Sequence, residues 1–473
     1  MPVTPYRTNL FQDHKELYQL LAIGKQQAIA KACPQIISIS QEIEPLDPLA
    51  VLQAIAKTAQ LQFYFENRRK NEAVAAIDSA ICINLEGTNR FHQAQSFIQA
   101  CLKKIISHGH LNRPFAGPHF FCNFTFFDNK LTVDSPFPSA TIFLPRWQVS
   151  LRKNSCVLVA NIEINSQINL EVVLETLCTQ LKRISWSGCH LSNIPENLKN
   201  KFIKQDTKSE TRFKSSVLSA LESIQANQFS KIVIADAVDV VSPQPFNLVN
   251  SLDNLRSRHP DCYVFSTSNG KGQNFIGASP ERLISIHNHQ LVTDALAGSA
   301  PRGKTVAEDT ELADRLLSSE KERREHRFVR DFIVERLSQL DLMPQLLPTP
   351  QLRQLSNIQH LWTPIQAQVP VDVHPLDIVA QLHPTPAVAG VPRDIVLRHI
   401  RRYEHFDRCL YAAPLGWVDH QGNSEFIVGI RSALIEGSQA RLYAGVGIVA
   451  GSDPAKELVE IHLKLQALLK ALR

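Results

Sequence analysis

Apolar positions along the second half of the chain first follow a helical period and then switch to a strand period. Phe213, Val217, Leu221 and Ile224 fall on one helix face, up to Asn227, and Thr207-Lys208-Ser209-Glu210 ahead of them has the spacing of a capping box. Lys231 opens a strand through residues 232–241, and another runs through 263–266 to a Ser268-Asn269-Gly270 turn and back through 275–277. A further hairpin turns at His287-Asn288-His289. Two long helices are expected. One covers residues 306–340; the other is C-terminal, with Asp453 able to cap it and Pro454 suited to its first turn. In the first 200 residues, Asp47 and Pro48 begin a helix over 47–57, and strand patterns occupy 74–83, 120–127, 141–150 and 157–164. Strands at near-hairpin spacing with few crossover helices favour antiparallel sheet. Residues 192–208, polar and containing Pro195, read as a connector, and the chain carries no internal repeat or low-complexity tract.

Composition narrows the function classes. The chain has 473 residues, 44% hydrophobic and 20% charged, as a globular protein with a large core would. A net charge of +5 with no prominent Lys/Arg run argues against a nucleic-acid footprint and suits an anionic small molecule equally well. Nine scattered cysteines without CxxC pairs imply reduced thiols. Asp13, His14, Lys15 and Glu16 stand where a signal peptide needs its apolar segment, and no stretch reaches membrane-spanning length. The expectation is a cytoplasmic protein with no membrane or nucleic-acid partner.

Several polar residues sit where a bland surface role is only one of two readings. Glu325 shares a helix face with Phe328, Val329 and Phe332, so its carboxylate lies on a core-facing stripe and must be paired, protonated or metal-bound. Ion pairing with Arg323, Arg324 or Arg327 is the commoner outcome. Glu457, Glu460 and Lys464 fall in a narrow arc beside the apolar stripe of Leu458, Ile461, Leu465, Leu468 and Leu472, either as a solvated face or as a cleft wall. Two glutamates from separate helices suit Mg²⁺, which takes few protein oxygens and completes its shell with water and substrate. Lys231 has small apolar same-face neighbours, Val233, Ala235 and Ala237, which disfavour an ammonium and suit a base; a strand-end lysine reaching solvent is the ordinary alternative. Glu281, after Pro280 and before Arg282, reads on its own as an Arg-paired turn residue. Gly445-Val446-Gly447 with Gly451 misses the GxGxxG spacing, so a dinucleotide site is rejected; these glycines, like Gly298 in Ala297-Gly298-Ser299, let backbone approach a ligand.

Together and in this order, these segments resemble the chorismate-utilising enzymes. The resemblance is carried by KIVIADAV (231–238), FIGASPERL (275–283), DALAGSAPRG (294–303), SSEKERREHRFV (318–329), QHLWTP (359–364), LHPTPAVAG (382–390), FIVGIRSA (426–433) and LYAGVGIVAGSDPAKELVEIHLK (442–464). It covers about residues 208–468, and more weakly FPSATIFLPRW (137–147). It implies an α+β fold: one large unit of two stacked, mainly antiparallel sheets flanked by helices. In it, residues 1–200 complete the sandwich and residues 208–470 form the catalytic region.

Within that family, ammonia-using synthases typically carry glutamine at the position of Lys231, and aminodeoxychorismate synthases a nucleophilic lysine where this chain has Ala297. Lys231 therefore implies water as nucleophile and no glutaminase subunit. Ala387 stands where salicylate synthases tend to have threonine, which points to an isochorismate-forming type. The resemblance implies that Lys231 is the base and Glu281 the acid. Glu325 and Glu460 would hold Mg²⁺, with Glu457 acting through water. Arg431 would grip the enolpyruvyl carboxylate and Lys464 would add charge, while Gly298, His360, Ala387, Tyr411 and Gly445 would line the substrate pocket. The expected protein is a monomeric isochorismate synthase serving menaquinone or phylloquinone formation. The rivals are a salicylate synthase, which also eliminates pyruvate, an ammonia-using synthase and a non-catalytic metabolite-binding relative.

Overall fold

The computed structural model describes residues 13–129, 135–186, 203–204, 209–355 and 358–472. Its strands join one hydrogen-bonded network, antiparallel except where Gln35–Ile43 pairs with Ile105–Gly109. The network divides along the strand Ala140–Arg152. Residues 140–143 pair with His119–Phe124 and residues 147–152 with Ser155–Ile164, while Glu72–Leu85 runs beside the whole strand. One wing continues through Leu61–Asn67, Tyr263–Asn269, Gln273–Ser279, Ser432–Glu436 and Gln439–Val449 to Lys231–Val241. The other passes through Pro414–Asp419, Ser424–Val428, Arg282–His287 and Gln290–Pro301 to Ile358–Gln368.

The wings lie face to face. Phe63 of one packs on Phe121 of the other with ring centroids 5.0 Å apart, and Asn123 donates to Thr267 Oγ1 across the gap at 2.9 Å. Helices cover the outer faces, so many strands are buried along their whole length and show no in–out alternation. This is the expected α+β sandwich of two stacked, mainly antiparallel sheets. Strands from before residue 200 lie in both wings.

Local rules place most elements. Asp47 accepts from Leu49 N at 2.9 Å and starts the helix Pro48–Ile55; Asp453 accepts from Ala455 N at 2.8 Å and starts Pro454–Ala471. Asn288 and His289 both have positive φ, as a two-residue hairpin turn requires. The connector expected at 192–208 lies outside the described residues except for Ile203–Lys204, a short strand on the Lys231–Val241 edge.

One expectation is corrected: residues 306–340 form two helices, Val306–Ser318 and Glu320–Ser338. Ser319 adopts extended backbone and its hydroxyl accepts from Glu322 N at 3.4 Å, ending one helix and capping the next. Hydroxyl side chains compete with the helical backbone and favour this role, which apolar periodicity alone does not register. The break matters because it sets the first two turns of the second helix, with Lys321, Glu322 and Glu325, against a cavity between the wings.

Candidate active site

Eleven of the twelve expected site residues line one cavity between the wings: Glu281, Gly298, Glu325, His360, Ala387, Tyr411, Arg431, Gly445, Glu457, Glu460 and Lys464. Lys231, the twelfth, lies just behind the wall. Its side chain is fully buried and its Nζ contacts Glu325 Oε1 at 2.7 Å. The small neighbours expected on its strand are present, but the amine is not in apolar surroundings alone, because a carboxylate from the facing helix completes them. Glu325 thus finds its cation in Lys231 rather than in a nearby arginine. Arg323, Arg324 and Arg327 are exposed.

The glycines admit side chains of the site. A Cβ on Gly447 would meet Glu325 Oε1 at 2.8 Å and Lys231 Cε at 3.1 Å, and one on Gly445 would meet the Tyr411 hydroxyl at 2.7 Å. Gly298 has φ of +78° at a bulge in Gln290–Pro301, where the pairing with Ile358–Gln368 shifts register. That bulge turns Ser299 N toward Glu322 Oε2, at 3.1 Å.

Glu322 was not singled out from the sequence, nor were Lys321, Leu296, Ser299 and Tyr443, which also line the cavity. A usable signal existed for Glu322, which precedes Glu325 by three residues and so shares its helix face.

Charge is sorted within the cavity. Glu322, Glu325, Glu457 and Glu460 line the same cavity as Lys321 and Lys464; Lys464 pairs with Glu460 at 2.8 Å and donates to Gly445 O at 2.8 Å, while Lys321 is 4.0 Å from Glu457. Burial, then the nearby carboxylates, raises Glu322 and Glu457 above the ordinary carboxylate range, while Lys464 lowers Glu460. Among the described residues no three acidic, His or Cys side chains converge as a ready-made metal cage. Hard oxygen donors on two helices, short of a full ligand set, nevertheless fit a Mg²⁺ ion that takes its remaining oxygens from water and substrate.

Elsewhere on the wall, Glu281 is buried and its carboxyl is pushed up to about 8. Burial is the main cause; Asp294 adds to it, and Lys231 and Lys464 oppose it. Its neighbour Arg282 is taken by Asp294 at 2.8 Å, so the Arg-paired turn reading of Glu281 does not hold. Arg431, held at φ of +49°, points its Nη2 toward His360 Nε2 at 3.5 Å and has no carboxylate partner among the described residues. Burial and then Arg431 keep His360 well below its ordinary range, hence neutral. With a guanidinium facing Nε2, the ring proton is assigned to Nδ1, 3.0 Å from Ser299 Oγ. The cavity therefore offers a protonated carboxyl, a carboxylate cluster and a guanidinium with no carboxylate partner among the described residues, with the Lys231 amine occluded behind its wall.

Among the described residues no helix is long and apolar enough to cross a membrane. The family model for chorismate binding enzymes matches residues 23–473. The salicylate biosynthesis isochorismate synthase of Pseudomonas aeruginosa is 32% identical over 458 residues, 95% of this chain and 92% of that protein. An isochorismate synthase, MenF, of Bacillus subtilis is 30% identical over 92% of this chain and 93% of its own length. Among solved structures, the menaquinone-specific isochorismate synthase of Escherichia coli superposes with a TM-score of 0.75 at 26% identity, covering 96% of this chain and 100% of that one. Anthranilate synthase component I of Streptococcus pneumoniae shares the fold, with a TM-score of 0.68 at 20% identity over 85% of this chain and 92% of that one. The chain belongs to the chorismate-binding enzyme family.

Proposed function

We propose that the protein is an isochorismate synthase, an isomerase that moves the ring hydroxyl of chorismate from C4 to C2. The observation that carries this reading is Lys231, whose buried amine lies directly behind the cavity wall. Lys231 removes a proton from water as the water oxygen bonds to C2. The ring double bonds shift, the C4–O bond breaks, and Glu281 gives its proton to the departing hydroxyl, which leaves as water. One water enters and one leaves, so the reaction is a reversible isomerisation. A carboxyl with its pKa near 8 still holds a proton to donate at neutral pH. Arg431 takes the enolpyruvyl carboxylate, for which a planar two-pronged donor with no carboxylate partner among the described residues is suited. Tyr411, His360, Gly298, Ala387 and Gly445 shape the pocket, and Lys464 adds positive charge.

Glu325 and Glu460 would hold Mg²⁺, with Glu457 through water; when bound, the ion would neutralise the ring carboxylate of the substrate. Lys231 can serve as a base only when Glu325 is otherwise engaged, which a metal-ligand role for that carboxylate provides. Residues 1–200 complete the catalytic unit. We place the enzyme in the cytoplasm, where its free cysteines would stay reduced, as a monomer without a glutaminase subunit, and in menaquinone or phylloquinone formation. Full-length similarity to a menaquinone-specific enzyme supports the pathway.

The test is product identification from chorismate with and without Mg²⁺. Isochorismate is expected; salicylate with pyruvate as main products would sink the reading. Lys231→Ala should abolish turnover while chorismate still binds, and unchanged turnover would remove the proposed base.

A further inference from the structure

Behind the cavity wall lies an ion pair that the reaction scheme does not use. Arg408 is completely buried, as is the side chain of Glu404 but for 2% of its surface. Arg408 Nε donates to Glu404 Oε2 at 2.8 Å and Nη2 to Glu404 Oε1 at 2.5 Å. Two further guanidinium protons go to backbone: Nη1 to Val388 O at 2.8 Å and Nη2 to Val233 O at 2.9 Å. Glu404 Oε1 also accepts from Ala235 N at 2.7 Å. The guanidinium carbon lies 4.3 Å from the Phe126 ring centroid and 5.8 Å from that of Tyr411.

Val233, Val388 and Tyr411 line the cavity, whereas Arg408 and Glu404 do not. One rigid fork therefore ties together three pieces of wall: the strand that begins at Lys231, the segment carrying Ala387, and the Tyr411 ring. Buried ion pairs add little stability over well-packed apolar residues, so stability alone does not account for this one. The two segments pair directly through residues 390–391 with 231–232 and through Val233 N to Ala389 O at 2.8 Å, and Arg408 extends that joint to the Val388 carbonyl with a spread planar grip that the single nitrogen of a lysine does not reproduce.

We propose that Arg408, oriented by Glu404, is a positioning residue that locks the Val388 wall and the Tyr411 ring against the Lys231 strand, just past the point where direct backbone pairing of the two segments ends. It thereby sets where the substrate ring sits relative to Lys231 and Glu281. The inference rests on the functional reading above. Displacing a wall by about 1 Å can cost about 100-fold in rate while leaving binding largely intact.

The experiment compares wild type, Arg408→Lys and Glu404→Gln for thermal stability, kcat, KM and the proportion of pyruvate among the products. Glu404→Gln keeps an oxygen for Ala235 N, and so supplies a milder variant if Arg408→Lys does not fold. Expected for the folded variants are a kcat reduced about 10- to 100-fold, a KM within about 3-fold of wild type, and a changed pyruvate fraction. Folded variants whose kcat and product ratio match wild type overturn the inference, as does a loss of activity no larger than the loss of folded protein. A wild-type enzyme that forms no isochorismate overturns the functional reading and this inference together; wild-type conversion with unaltered variants overturns the inference alone.

Discussion

Replacing Glu281 with glutamine tests the acid through both stability and rate. The folded chain keeps the Glu281 proton up to about pH 8, against an ordinary value of 4.5. Below pH 4.5 folded and unfolded chains both hold that proton, and the site makes stability independent of pH. As pH rises past 4.5 the unfolded chain releases it and the folded chain does not, so stability falls until about pH 8 and then levels off. At about 1.4 kcal/mol per pH unit, the loss is about 3 kcal/mol at pH 7 and approaches 5 kcal/mol by pH 9. Glutamine fills the same space and carries no proton to lose. Glu281→Gln should therefore gain stability over wild type progressively between pH 5 and 9, by up to those amounts, in urea unfolding of the metal-free protein at constant ionic strength. The same substitution should lower kcat by about 100- to 10,000-fold, because an amide cannot deliver a proton to the leaving hydroxyl. Wild-type kcat should itself fall as pH rises through about 8. A stability difference that stays constant across this pH range, or a glutamine variant with wild-type kcat, would refute the reasoning.

Three further outcomes are expected. Gly447→Ala should displace the Glu325 carboxylate, a proposed Mg²⁺ ligand, with little effect on the melting temperature, since the clash is mainly with the end of a side chain; kcat should drop at least about 10-fold, and an unchanged kcat would show that the placement of Glu325 is dispensable. Ser319→Ala removes the hydroxyl cap of Glu320–Ser338 and should cost about 1 kcal/mol in urea unfolding, whereas no loss would mean the helix start is held by packing alone. Exhaustive chelation should abolish turnover and Mg²⁺ should restore it; persistent activity would argue against a metal at Glu325 and Glu460.

What could be read along the chain is what nearest neighbours decide. Asp47 and Asp453 cap their helices because an acceptor and a proline stand at the right local positions, and Asn288-His289 turns because Asn and His are among the non-glycine residues that most readily take positive φ. Helical spacing likewise put Glu325 on a core-facing stripe and Glu460 at its edge, and the ordered segments identified the family and with it the sandwich. The break at Ser319 was missed because a cap is a contest between a hydroxyl and a backbone hydrogen bond that periodicity does not weigh.

Tertiary structure alone decided the partners. Lys231 and Glu325 are 94 residues apart in the chain and meet because a strand of one wing faces a helix packed on the other. The proton on Glu281 depends on burial, on Asp294 drawing Arg282 away, and on the distances to Lys231 and Lys464. Arg408 reads in the sequence only as an arginine four residues after a glutamate; its grip on Val233 and Val388 exists only once three distant segments have packed. Charges interact through space, so sequence can nominate the groups, but only the folded chain determines which of them are paired, buried or protonated.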